Sequence, residues 1–262
     1  FENITEHAAV HVENMRLVNP IGVRHDAHAA CSADLLADPF AIGIFIRINA
    51  PRGLQLRGLF LQLGADLVGV GAVIGVDADE FLVVDPKLGL SLSEYLSKAK
   101  IRTSLSGLGV DVGQHTEQEG DIREDATFLS QRHYARLSTR YTKPCVIAKP
   151  VRWGRGFHRV KGHNFHIGKD LFLFHFGYFD LGRIKARFED PSRRAAGWTK
   201  HLERRSKTIR QVTSGKARDW DRWTRNARII QTCVRPPYAW NKPAMFELVI
   251  IVRIADRFKN LV

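Results

Sequence analysis

The sequence predicts an α/β protein built on a mostly parallel sheet flanked by helices, with a basic, mainly helical C-terminal extension. Three observations lead there. Apolar runs with two-residue alternation, "AIGIFIRI" and "GAVIGVDADEFLVV", are separated by stretches with helical spacing. Strands that alternate with helices need crossover connections, and crossovers pair strands in parallel. Further along, fifteen Arg or Lys against five Asp or Glu fall between Arg183 and Arg228, a local balance of about +10. Residues 1–182 are therefore expected to form the α/β domain and residues 183–262 the basic region.

The elements follow in order. "NITEHAAVHVENM" has helical spacing, with Asn3 or Thr5 as a cap, and "IGVRHD" reads as a short strand. "CSADLLADP" is a helix stopped by Pro39, "AIGIFIRI" a strand, and "PRGLQLRGLFLQLGA" a helix opened by Pro51. "GAVIGVDADEFLVV" reads as one further strand. "SLSEYLSKA" is a helix capped by Ser91, with Glu94 at the spacing of a capping box. "TSLSGLGVDVG" is a strand. Residues 117–150 read as polar and irregular apart from a helix in "ATFLSQRHYARLS", and residues 151–181 as strand and loop punctuated by glycines. The basic segment is helical to about Cys233, and "RPPYAWNKP" breaks it before the apolar "AMFELVIIVRIADRF".

Composition narrows the classes. With 262 residues, 44% of them apolar, the chain can bury one substantial core. Cys31, Cys145 and Cys233 show no CxxC spacing and are odd in number, which fits reduced core thiols. The longest apolar run, "LVGVGAVIGV", is half the length a spanning helix needs, so a soluble or peripheral protein is expected, in the cytoplasm or on the inner face of the membrane. The chain begins at Phe1 rather than Met, which leaves room for preceding sequence. The formal charge of +13 calls for a polyanion, an anionic membrane surface or a phosphorylated substrate, unless the basic run is simply a solvated helical face. Trp198, Trp220 and Trp223 interleave with these cations, as an interfacial helix requires. No nucleic-acid module is recognisable, so nucleic acid ranks below membrane or acceptor docking.

The chemistry concentrates where an apolar strand ends in acid. On a continuous strand Asp77 and Asp79 would share one side, with Ala78 and Glu80 on the other. Two carboxylates at the carboxyl end of a sheet strand suit Mg²⁺ or Mn²⁺ carrying a diphosphate; a cluster paired with Arg or capping a helix is the structural alternative.

"VDADEFLVVDP" followed by "SLSEYL" resembles the D-x-D segment of family-2-like glycosyltransferases with the GT-A fold. The likeness extends loosely upstream through "EHAAVHVENMRLVNPIGVRHDAHAACSADLL", where Asp26, Ser32 and Asp34 match a nucleotide-contacting stretch, and places the family's first strand before Phe1. Downstream it takes in "QRHYARLSTRYTKPCVIAKPVRWGRGFH" and "LFLFHFGYFDLGRIKARF". It implies a GT-A-like, Rossmann-like domain and a metal-dependent transfer of sugar from a nucleotide-diphosphate donor to a glycan or lipid-linked acceptor. Asp77 and Asp79 would hold Mn²⁺ or Mg²⁺, with His158 or His175 completing the shell; His163 and His166 read as loop residues. Asp26, Asp77, Lys143, Arg152 and Arg155 would contact the nucleotide diphosphate, since Arg and Lys stabilise a departing phosphate. An inverting transfer needs a general base, and of Glu117, Glu119, Asp121, Glu124 and Asp125 in the next loop the choices are Glu119 and Asp121. Tyr141, Trp153 and Phe157 are placed to stack on a sugar or to fill core. Two other classes stay open: a nucleic-acid- or anionic-membrane-binding protein, and a non-catalytic relative of the transferases.

Overall fold

The computed structural model describes residues 41–47, 70–77, 79–149, 151–154, 158–160, 166–195, 197, 199–234 and 249–261. The elements expected before Ala41 and between residues 48 and 69, together with Asp26, Cys31, Arg155, Phe157, His163 and Trp198, lie outside these residues.

Among the described residues eight strands form the sheet: β1 (Ala41–Arg47), β2 (Val70–Asp77), β3 (Glu80–Val84), β4 (Ser104–Gly113), β5 (Tyr134–Leu137), β6 (Lys143–Ile147), β7 (Ile167–Tyr178) and β8 (Ile250–Arg253). The helices are α1 (Leu92–Lys98), α2 (Phe128–Gln131), α3 (Leu181–Glu189), α4 (Pro191–Ala195), α5 (Thr199–Ser214) and α6 (Trp220–Cys233). This corrects the expectation of a mostly parallel, Rossmann-like GT-A sheet. Among the described strands β1–β2 and β4–β7 pair in parallel, while β2–β6, β3–β7, β4–β5, β4–β6 and β5–β8 are antiparallel, giving a mixed half-barrel. Helical crossovers between every strand are what the parallel reading assumed. The segment read as irregular, residues 117–150, instead supplies two short strands that return antiparallel beside β4.

Strand β4 organises the molecule. One edge pairs with β7, and the other pairs first with β6 and then with β5. The edge changes partner at Gly109, where the turn between β5 and β6 presses against the strand. Ser138 N donates to Gly109 O at 2.9 Å, and Gly109 N donates to Thr142 Oγ1 at 2.8 Å. A Cβ at Gly109 would lie 2.4–2.5 Å from the backbone of Thr142, Ser138 and Tyr141, so only glycine fits.

Alternation sorts the sheet's two faces. Leu108, Val110 and Val112 of β4 and Phe172, Phe174 and Phe176 of β7 enter the main core with Trp220, Ala227, Ile250, Val252 and Phe258. The opposite face of β7 and β4 presents His175 and Asp111. Here α5 covers the sheet with Thr208 and Val212, 1% and 0% exposed. Helix α1 has the capping box that its sequence spacing predicts: Glu94 N donates to Ser91 Oγ, and Ser91 N donates to Glu94 Oε2. It covers a smaller cluster containing Ala72, Ile74, Cys145 and Leu173.

Candidate functional site: the carboxylate turn

The apolar run "GAVIGVDADEFLVV" is two strands rather than one. The chain leaves β2 at Asp77, turns, and re-enters the sheet at Glu80 on β3, which pairs with β7. Asp77 therefore closes β2 and Asp79 stands on the turn, so the two do not lie along one face of a continuous strand. Two bonds set the turn: Asp77 N donates to Glu80 Oε2 at 3.0 Å, and Phe176 N donates to Asp79 O at 2.9 Å.

Two cations hold the three carboxylates. Lys143, at the start of β6 and 1% exposed, places Nζ 2.9 Å from Asp77 Oδ2 and 2.5 Å from Glu80 Oε1. Burial works against the Lys143 charge, but Glu80 and Asp77 outweigh it and raise its pKa. Burial raises Glu80 despite the opposing pull of Lys143. Asp79 faces His175, with Oδ2 3.4 Å from Nε2.

The sheet register explains what lies behind His175. Glu80 on β3, His175 on β7, Asp111 on β4 and Arg136 on β5 form one row across four strands, and residues opposed across strands share a face. His175 Nδ1 donates to Asp111 Oδ1 at 2.7 Å, while Asp111 Oδ2 accepts from Arg136 Nη2 at 3.1 Å and from Thr208 Oγ1 at 2.8 Å. Gln211 Oε1 accepts from Arg136 Nη1. The Tyr141 ring stacks on the imidazole at 3.7 Å between centroids. Burial alone would lower the His175 pKa, but the bonds and charges of Asp111 and Asp79 raise it to about 9. At neutral pH His175 is an imidazolium, which offers Asp79 a proton rather than a lone pair.

His158 is the contrasting histidine. Its surface is exposed, and Nδ1 donates to Arg140 O at 3.1 Å. Loss of hydration around the ring, and the Lys143 ammonium, push its pKa down to about 4, while Asp77 acts in the other direction. It is therefore neutral, with Nε2 as an acceptor, and close enough to Asp77 and Lys143 for both to act on it.

The remaining candidates separate. Glu119 is buried at 7% and works as a backbone cap: Oε2 accepts from His115 N at 2.7 Å and Oε1 from His133 N at 2.6 Å. Asp121, Glu117, Glu124, Asp125, Arg152 and His166 are exposed. Lys143, expected beside a diphosphate, is turned inward onto Glu80 and Asp77. Trp153 Nε1 donates to Pro144 O at 2.7 Å, and its ring packs at the edge of the cluster around Val73, Ile147 and Val160. Trp220 belongs to the core, 3% exposed, and Trp223 lies under the Arg218 guanidinium at 4.5 Å. Asp111, not among the residues the sequence singles out, has one signal there: a lone acid in the apolar run "GLGVDVG" has to find a partner when buried.

Among the described residues no three His, Cys, Asp or Glu side chains converge as a metal-binding group. None of their helices is long and apolar enough to cross a membrane. No protein-family model matches the chain, and no curated protein matches its sequence.

Proposed function

We propose that the chain is a metal-dependent glycosyltransferase, moving a sugar from a nucleotide-diphosphate donor to an acceptor hydroxyl in the synthesis of a cell-surface glycan. One observation carries the reading. Asp77 at the end of β2 and Asp79 on the turn that follows have side chains 21% and 35% exposed, each balanced by a cation from a distant part of the chain. Partly exposed acid at such a turn, oriented by buried partners, supports the reading that the resemblance of "DADEF" suggests.

The donor set fits a hard divalent cation in a limited sense. Such ions keep several waters and use one or two carboxylates together with substrate phosphates, so Asp79 and Asp77 suffice without a third protein ligand. Mg²⁺ or Mn²⁺ held there would supply Lewis-acid stabilisation of the departing diphosphate. The protein's own groups have orienting tasks. Lys143 and Glu80 fix Asp77 and the turn, and Asp111 with Thr208 and Arg136 fixes His175, which holds Asp79. His158, being neutral, suits a ligand or proton-accepting role better than His175 does. Asp121 keeps the exposed carboxylate that a general base requires, whereas both Glu119 oxygens are engaged. Peripheral contact with an anionic membrane face belongs to the same proposal and rests on the cations between Arg183 and Arg228.

The test is a thermal-shift panel of UDP-, GDP- and dTDP-sugars with and without Mn²⁺, because a ligand that binds only the folded state raises its melting temperature. A Mn²⁺-dependent shift that Asp79→Asn removes, with donor hydrolysis falling about a hundredfold or more, is the expected result. Binding without hydrolysis would identify a non-catalytic relative. No shift and no hydrolysis with any donor would end the proposal.

A further inference from the structure

A second polar cleft lies at the other end of the β3–β7 ladder. The register runs from Glu80 opposite His175 to Val84 opposite Leu171, so the cleft is displaced from the carboxylate turn by about 14 Å, four residue steps along a strand. Its volume is about 290 Å³. Small-molecule sites begin at about 300 Å³, so there is room for one compact ligand. Leu108 and Phe172 form the floor, 1% and 4% exposed. Leu88 of the 3-10 turn Pro86–Leu88 makes one wall, and Arg225 and Arg228 of α6 make the other.

The charges around this cleft divide into two groups. Lys87 Nζ lies 2.6 Å from Asp170 Oδ1 and 3.2 Å from Asp85 Oδ2, and Arg257 bridges Asp85 at 2.7 Å and Asp221 at 2.6 Å. The two carboxylates that line the cleft, Asp170 and Asp221, are thus engaged by Lys87 and Arg257, with the buried Asp85 behind them. Lys169, Arg225 and Arg228 make no ion pair among the described residues, and all three line the cleft. Among the lining residues four cations, Lys87, Lys169, Arg225 and Arg228, face two carboxylates, Asp170 and Asp221. Two guanidiniums three residues apart on one helix, over an apolar floor, match a phosphate group attached to an apolar body.

We propose that this cleft binds a phosphate monoester through Arg225, Arg228 and Lys169, with the ligand's apolar part against Leu108, Phe172 and Leu88. The site is separate from the carboxylate turn and does not depend on the sugar-transfer proposal. Its ligand has two chemical sources: a soluble phosphate ester, or the headgroup of phosphatidic acid in a bilayer. Leu88 and, on the next turn from Arg225, Ile229 are 37% and 50% exposed, which accommodates either.

Two probes separate the sources: calorimetric titration with phenyl phosphate, and co-sedimentation with phosphatidylcholine vesicles with and without phosphatidic acid. Each is applied to the whole chain, to Arg225→Gln/Arg228→Gln, and to Arg222→Gln/Lys185→Gln, which removes the same charge from exposed positions outside the cleft. Circular dichroism confirms that both variants fold. The expected result is binding weakened about tenfold or more by the cleft variant and less than about twofold by the control variant. Binding of phenyl phosphate would identify a soluble ester, and binding to phosphatidic acid vesicles alone would identify the headgroup. Failure to bind either probe, or equal weakening in both variants, would overturn the proposal and leave a solvated basic face.

Discussion

Lys143 bears the electrostatics of the carboxylate turn at the residue scale. A buried ammonium between Glu80 and Asp77 is stable because all three groups are present, and removing one leaves the others uncompensated. Lys143→Met should cost about 3–5 kcal/mol of unfolding free energy by urea titration, and adding Glu80→Gln should recover a large part of it. If the single and double variants were equally unstable, the pair would not be the source. His175 makes a second prediction. Its folded pKa, about 9, lies above its ordinary value, so its contribution is complete below about pH 6.5 and is lost as pH rises through about 9. Urea stability should therefore fall by up to about 3 kcal/mol between pH 6.5 and 10. His175→Gln should flatten that dependence, and an equally steep fall in the variant would assign it to other groups. The acidic run and Lys143 are legible in the sequence but their pairing is not, since 66 residues separate Lys143 from Asp77. Periodicity shows which face a residue occupies and says nothing about which distant residue shares it.

The strand alternation was legible at the scale of elements. "LFLFHFGYF" sends Phe172, Phe174 and Phe176 one way and His175 the other, as it reads. The capping box of α1 was equally open to reading because it spans four residues. Strand direction was not, because parallel and antiparallel partners present the same period, and a short strand such as "YARL" is hidden by Arg and Tyr. The two-residue break at Asp77 was hidden for a related reason: the apolar run continues through it, and only the pairing of β3 with β7 separates the strands. Gly109 marks the place where β4 changes partners, and it also positions Tyr141 and Lys143 at the site. Gly109→Ala would force a Cβ against backbone that cannot move aside locally, costing about 3 kcal/mol or more. The same turn carries Tyr141 onto His175, so the His175 pH dependence should weaken in that variant. A variant of wild-type stability would show that the turn can withdraw from β4.

The core passes across residue 182 when the whole molecule is considered. Trp220, Ala227, Ile250, Val252 and Phe258 pack in one cluster with Leu108, Phe172 and Phe174, and Trp220 and Phe258 lie 5.0 Å apart between ring centroids. Polar ties reinforce this. Thr208 of α5 reaches Asp111, and Arg257 joins Asp221 of α6 to Asp85, which follows β3. A basic helical region fastened in this way cannot melt without exposing the aromatic face of the sheet, which argues for one cooperative transition. Cys145 provides a reporter on the far side of the sheet. It is fully buried beneath α1, and burial raises its thiol to about 12, so alkylation requires opening of the sheet. Cys233 is exposed at the end of α6 and supplies the immediate background signal. Across a urea series, Cys145 alkylation by iodoacetamide, read by peptide mass, should rise over the same range in which helical ellipticity is lost. Loss of ellipticity at lower urea while Cys145 stays protected would mean that the helices of residues 183–233 unfold separately, and the shared aromatic cluster would then contribute little to joining them.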